Sequence, residues 1–216
     1  MALGQTQQTS PVSGQSPMTT EQRNIKKHWR NRYLFMRHGH SQANQQRVIV
    51  SSPGRGVENF GLSEHGEQQL AQLVADWQWP VPTRVVHSDF LRTTQTAAHV
   101  AARFELVPSV DTRLRERNFG ELEGLGDEHY PSVWALDAED AEHQHHGVEA
   151  LSRVASRMQA VIGDWEQQVS GEVILLVSHG DPLQILLTAL AGKPLTSHRE
   201  QTPLAPASIT LYGHGV

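Results

Sequence analysis

The sequence predicts an α/β fold with a mostly parallel central sheet. Val173-Ile174-Leu175-Leu176-Val177 is an unbroken apolar run between Gly171 and Gly180, the pattern of a parallel strand covered on both faces. Tyr33-Leu34-Phe35-Met36 and Thr83-Arg84-Val85-Val86 read as two further short strands. Between these runs, apolar residues recur at helical spacing. Strands that alternate with helices of about ten or more residues build a parallel sheet through crossover connections.

The elements follow in order. Ordered structure is expected from near Arg32, with the first strand running into Arg37-His38-Gly39. A Gly/Pro/Ser-rich stretch spans Ser51 to Gly56, and Ser63 is placed to cap a helix carrying Leu70, Leu73, Val74 and Trp77 on one face. Pro80 and Pro82 end that helix ahead of the second strand. The next helix presents Ala97, Val100, Ala101 and Phe104; a longer one presents Leu151, Val154, Ala155, Met158, Val161, Ile162 and Trp165. After the central strand, Asp181-Pro182 is expected to open a helix, with Asp181 as N-cap and Pro182 as its first residue. Ser208 to Tyr212 is expected as the last strand.

The chain has 216 residues, enough for one domain with a sizeable core. Residues 1–24 are Gln, Thr, Ser and Pro with almost no large apolar side chain. Such a segment cannot offset its ordering entropy by burial. We therefore expect a disordered polar tail over 1–30 and a single domain over 31–216. The basic cluster Arg23, Lys26, Lys27, Arg30 and Arg32 reads as a solvated lead-in. The start lacks the basic and apolar regions of a secretory signal, so a cytoplasmic protein is expected. A formal net charge of −5 argues against a large nucleic-acid footprint. The lack of cysteine excludes disulfides and thiolate chemistry. No apolar run approaches the roughly 18 residues of a membrane helix.

Ligands of open α/β sheets bind beyond the carboxyl ends of the strands. Three of those ends are unusually polar here: Arg37-His38-Gly39, His87-Ser88-Asp89 with Arg92 beyond it, and Ser178-His179-Gly180. One crevice can thus receive two arginines and two histidines. Arginine matches a pair of phosphate oxygens with its planar fork, and neutral imidazole can attack phosphorus. The helix after Gly180 adds a positive end.

Arg37-His38-Gly39-His40-Ser41-Gln42-Ala43-Asn44 resembles the R-H-G-x-[ST]-x-x-N signature of the histidine phosphatase (phosphoglycerate mutase-like) superfamily. Ser88 to Ala97 resembles its S-x-L-x-R-x-x-x-T-A segment. Leu114 to Gly120, with Glu123-Gly124, resembles its L-x-E-x-x-x-G-x-x-E-G segment. Ser178-His179-Gly180 resembles its second-histidine motif. The resemblance runs from about Arg32 to Tyr212. It implies a three-layer α/β/α sandwich and a metal-independent phosphomonoester hydrolase that needs no cofactor. His38 is then the nucleophile that becomes phosphohistidine, and Glu116 the general acid and base. Arg37, Arg92 and His179 hold the phosphoryl oxygens, with Asn44 and Gly180 as further phosphate contacts. Two positions depart from the pattern: His40 at the expected pocket rim, and Phe90 where leucine is usual, which touches no catalytic role in this reading.

Other groups take plainer readings. His87 is left out of the site. His143, His145 and His146 read as a solvated loop rather than a metal site, and Asp127, Glu128, Asp137, Glu139, Asp140 and Glu142 as a solvated face. The expected partner is a small phosphorylated metabolite, with a homo-oligomer possible and neither nucleic acid nor membrane involved. The alternative within the family is a phosphoglycerate mutase. It is disfavoured because Glu121 to Glu149 contains no Lys or Arg to hold a second anionic group, unless Arg47 or Arg55 reaches it. A metal-dependent phosphoesterase is disfavoured by the missing Asp-x-His and Gly-Asp-x-x-Asp patterns. A non-catalytic phosphate-binding module is disfavoured by the full set of expected groups.

Overall fold

The computed structural model describes residues 29–213; most of the expected tail lies outside them. Five strands form one sheet in the order β3-β2-β4-β1-β5. They are β1 (Arg32–Arg37), β2 (Arg84–His87), β3 (Ser109–Val110), β4 (Val173–Ser178) and β5 (Ile209–Gly213). β4 pairs in parallel with β1 and β2, and β2 with β3, whereas β5 runs antiparallel to β1. Among the described residues seven α-helices accompany them: α1 (Gln42–Gln46), α2 (Pro53–Gly56), α3 (Glu64–Ala75), α4 (Leu91–Phe104), α5 (Tyr130–Glu139), α6 (Leu151–Gln168) and α7 (Gly180–Leu190). None of the described helices is long and apolar enough to cross a membrane.

Side-chain alternation along the central strands divides the core in two. Tyr33, Phe35, Ile174 and Leu176 pack with the apolar faces of α6 and α7. Leu34, Met36, Val173, Leu175 and Val177 pack with α3 and α4 on the other face. The result is the three-layer sandwich that the family resemblance implied. A third cluster of Ile49, Phe119, Leu122, Val133 and Val148, with Tyr130 against it, seats α5 beside the carboxyl end of the sheet.

Ser63 caps α3 as expected, accepting from the Gly66 amide. The reading of α7 needs correction. Its N-cap is His179, and Asp181 and Pro182 lie inside the first turn. Asp181 makes no cap because its carboxylate turns to Arg117 and Trp134.

Two glycines separate packing from propensity. Gly66 lies where a Cβ would run into the His40 carbonyl, while a Cβ at Gly163, within α6, meets nothing within 4 Å. Gly66→Ala is expected to lower stability by about 1–3 kcal/mol through overpacking. Gly163→Ala should raise it by about 0.5–1 kcal/mol through helix propensity. Denaturant melts of both variants check the pair.

Candidate active site

The parallel ladder of β1 and β4 sets Arg37 opposite Ser178. The residues that follow, His38 and His179, therefore emerge side by side, with ring centroids 5.3 Å apart. His38 is buried. Its Nδ1 lies 2.7 Å from the Gly39 carbonyl, which only accepts, so Nδ1 carries the proton. Nε2 is left with its lone pair, and Arg92 Nε donates to it at 3.1 Å. Burial, and then the charges of Arg92 and Arg37, hold the His38 pKa well below its ordinary value. The result is a neutral imidazole with a fixed tautomer.

His179 is oriented from behind. Ser88 Oγ accepts from the Phe90 amide and lies 3.0 Å from His179 Nε2. The other ring nitrogen, Nδ1, is 3.8 Å from Glu116 Oε2. Burial is also the main cause holding His179 neutral, followed by Arg92. Arg92 is buried, and its Nη2 donates to the Val50 carbonyl at 2.9 Å. Arg37 Nη1 donates to the Leu204 carbonyl at 2.5 Å. Burial lowers the pKa of both guanidiniums, which still remain charged. Among the described residues, Arg37 Nε, Arg92 Nη1 and His179 Nδ1 are buried without a hydrogen-bond partner. Two unmatched guanidinium donors and an unpartnered imidazole nitrogen beside His38 suit a group that brings several acceptor oxygens and negative charge.

Glu116 completes the set. Its Oε2 lies 3.7 Å from Arg92 Nη2 and 3.8 Å from His179 Nδ1. Burial outweighs the pull of Arg92 and raises its pKa to about 7, so one carboxyl group can both give and take a proton near neutrality. Its basic neighbours in sequence are engaged elsewhere: Arg115 pairs with Asp89, and Arg117 with Asp137 and Asp181.

These groups surround a cavity of about 250 Å³ lined by Arg37, His38, Asn44, Arg92, Glu116 and Gly180. His179 is not itself a lining residue; it adjoins two that are, His38 at 5.3 Å between ring centroids and Glu116 at 3.8 Å. Asn44 Oδ1 accepts from the Ser41 backbone amide and hydroxyl, which leaves its amide nitrogen as the donor available to an oxyanion. At Gly180 a Cβ would come within 3.3 Å of the Arg37 guanidinium, so the glycine makes room for that side chain.

Several sequence readings change. Phe90 is not a bystander: its ring meets His179 edge-on at 5.1 Å, and Arg92 stacks over it at 5.0 Å. His40 bonds Ser63 at 2.7 Å and lines a separate depression with His65, away from this cavity. Asp137 is fully buried rather than on a solvated face. His143 is buried too and bonds Asp137 at 2.7 Å, whereas His145 and His146 are exposed as a solvated loop should be. Asp127 lies on the cavity wall and pairs with Arg47. The outer wall also contains Tyr130, Trp134, Asp181, Gln184 and Arg199, none of which the sequence marked as part of the site. Arg199 lies flat on Trp134 at 3.7 Å, donates to Gln184 at 3.0 Å and sits 3.6 Å from Asp181. It is the cation that the stretch from Glu121 to Glu149 lacks.

The chain is similar to several known proteins. A glucosyl-3-phosphoglycerate phosphatase of Mycobacterium tuberculosis is 31% identical over 196 residues, covering 85% of this chain and 86% of that protein. A protein of Enterobacter named "probable phosphoglycerate mutase" is 31% identical over 170 residues, covering 76% and 77%. The solved structure of a mycobacterial glucosyl-3-phosphoglycerate phosphatase complexed with VO3 superposes with a TM-score of 0.70 at 29% identity, covering 83% of this chain and 91% of that one. The family model of the histidine phosphatase superfamily (branch 1) matches residues 33–215, and the chain belongs to that superfamily.

Proposed function

We propose that this chain is a phosphomonoesterase that works through a phosphohistidine on His38, with Glu116 as general acid and then general base. The observation that carries the reading is the lone pair of His38 Nε2. It is fixed by the Nδ1 contact to Gly39 and kept unprotonated by burial, and it lies beside Arg92 and Glu116. In the first step Nε2 bonds to phosphorus as the ester P–O bond breaks, and the leaving oxygen takes the proton of Glu116. In the second step Glu116 takes a proton from water, the water oxygen bonds to phosphorus, and His38 leaves as neutral imidazole. Arg37, Arg92, His179 Nδ1, Asn44 and the amide end of α7 at Gly180 hold the phosphoryl oxygens, whose charge must be met in the transition state. These cationic and neutral donors balance the charge without a metal. Among the described residues there is no cluster of three or more His, Asp or Glu fit to ligate one.

The substrate is read as a small phosphorylated metabolite. A cavity of about 250 Å³ suits a compact ester, and the phosphatase relatives are named for a phosphorylated sugar acid. Arg199, held flat on Trp134, offers its guanidinium to a carboxylate on the part of the substrate beyond the phosphate. A mutase-like transfer is the second reading. The Enterobacter relative favours it, and trapping of the phosphoenzyme by 3-phosphoglycerate without net phosphate release would establish it.

His38→Ala is expected to abolish turnover and the acid-labile, base-stable phosphoenzyme seen after rapid quenching of the unmodified protein. Retention of near-full activity by this variant would end the nucleophile assignment. The pH dependence has a definite sign. The acid must be protonated in the first step, so the burst rate for an alkyl phosphate should fall about tenfold per pH unit above about 7. His38 stays neutral well below its ordinary pKa, so the acidic limb should be displaced downward. Glu116→Gln should flatten the alkaline limb. Finally, a panel of phosphorylated metabolites should contain good substrates, and a phosphopeptide should be poor. Arg199→Ala should raise KM by roughly tenfold for a carboxylate-bearing ester, the effect of losing about 1.4 kcal/mol of binding. It should raise KM less for an uncharged sugar phosphate.

A further inference from the structure

Arg117 is fully buried, yet its guanidinium takes no part in lining the phosphate cavity. It grips Asp137 with two hydrogen bonds of 2.7 Å, reaches Asp181 at 3.3 Å and donates through Nε to the Glu149 carbonyl at 2.8 Å. Arg157 binds the carbonyls of Arg113, Arg115 and Glu116 at 2.6, 2.8 and 3.2 Å. The peptide between residues 116 and 117 is thereby tied at the Glu116 carbonyl by Arg157 and held on its other end by the ion pairs of the Arg117 side chain. Its N–H donates to Oε1 of Glu116 at 3.0 Å.

The two oxygens of Glu116 therefore differ. Oε1 faces a donor that cannot accept, so a proton placed there would oppose the amide hydrogen. Oε2 has no donor within hydrogen-bond distance among the described residues: Arg92 and His179 stand off at 3.7 and 3.8 Å. We propose that Arg117 is a positioning residue for proton transfer. Anchored on Asp137 and Asp181, it presents its main-chain N–H to Oε1 and so keeps the acid proton of Glu116 on Oε2, the oxygen nearest the phosphate-holding groups.

This rests on the reading of Glu116 as the acid. As phosphorus moves from the ester oxygen to His38 Nε2, the proton leaves Oε2 for the departing oxygen. The charge left on the carboxylate is met at Oε1 by the amide. In the second step the proton from water returns to Oε2. A purely structural ion pair would make no distinction between leaving groups, whereas a misplaced acid hurts the poor ones most.

The test is rapid-quench burst kinetics with glycerol phosphate, whose alkoxide needs the proton, and nitrophenyl phosphate, whose phenolate hardly does. Arg117→Lys keeps the charge but loses the two-pronged grip. Arg117→Met with Asp137→Leu removes the pair without leaving Asp137 charged and alone. Circular dichroism and melting temperature establish that each is folded, and the variant that folds is the one read. The expected result is a 10- to 100-fold loss in burst rate for glycerol phosphate, a loss under about threefold for nitrophenyl phosphate, and little change in KM. Combined with Glu116→Gln, the same substitutions should cause no further selective loss. Equal losses on both substrates, or none, in a folded variant would overturn the role of Arg117 while leaving Glu116 in place. If Glu116→Gln alone shows no leaving-group contrast, the acid assignment itself fails and this inference falls with it.

Discussion

The parallel register between β1 and β4 is the constraint on which the site depends. Because Arg37 stands opposite Ser178, the chain leaves both strands at the same level and delivers His38 and His179 to adjoining positions. The His38 amide bonds the Ser178 carbonyl at 3.0 Å, so the ladder continues one step past the strand and fixes the backbone of His38 itself. A slip of one residue would turn every side chain of β1 to the opposite face. It would exchange the two halves of the core and remove the histidine from the crevice. The apolar cores on either side of the sheet thus bear on the chemistry indirectly, since they exclude the one-residue slip that would turn Tyr33 and Phe35 away from α6 and Leu34 and Met36 away from α3.

Burial then determines the protonation states. Desolvation is the first cause of the lowered pKa of both histidines and of the raised pKa of Glu116. One physical effect thus gives a neutral imidazole and a partly protonated carboxyl in the same cavity, as acid–base chemistry near neutrality requires. The same effect would make Arg92 and Arg117 costly if they stood alone. Each is compensated differently. Arg117 has Asp137 and Asp181 and is held in a closed network, while Arg92 has His38, the Val50 carbonyl and the face of Phe90. Arg117 directs its guanidinium nitrogens to two carboxylates and the Glu149 carbonyl, whereas Arg92, with Glu116 standing off at 3.7 Å, keeps Nη1 without a partner. That unpartnered nitrogen is the donor with which Arg92 can meet an anion.

The phosphate end of the site was legible in the sequence because local order encodes it. His38 and His179 directly follow strands, Arg92 lies in the first turn of α4, and Glu116 follows Leu114-Arg115, each among neighbours recognisable in short stretches of chain. The β4 run identified the centre of the sheet for the same reason. The outer wall was not legible. The buried residues of α5 are Val133 and Asp137, so one of its two inward positions carries a charge and the helix shows no apolar stripe. The partner that makes Asp137 tolerable, Arg117, lies 20 residues away, and His143 joins it from a loop that reads as polar. Asp181 misled through a local rule: an Asp-Pro pair usually opens a helix, but here the carboxylate is drawn to Arg117 and Trp134 instead. Arg199 could not be assigned from sequence at all, because its place over Trp134 exists only after α5 and the segment following α7 have met.

That meeting gives the network around Arg117 a second consequence. Asp181 belongs to the first turn of α7, whose amide end borders the phosphate cavity, and its two oxygens point to different elements. Oδ2 takes Arg117, beside Glu116, and Oδ1 takes the indole N–H of Trp134 at 3.1 Å and lies near Arg199. The carboxylate thus joins the peptide that orients the proton donor to the wall that would meet the remainder of the substrate. Asp181 and Arg117 are buried and Trp134 half-buried, and packed interior groups transmit displacement better than exposed side chains do. A substrate group pressing on Trp134 or Arg199 would bear on Asp181 and, through Arg117, on the amide that holds Glu116. Selectivity at the outer wall and proton delivery at the inner one therefore share one carboxylate, and a change of specificity made at Trp134 or Arg199 has to preserve the geometry of Asp181 to keep the chemistry intact.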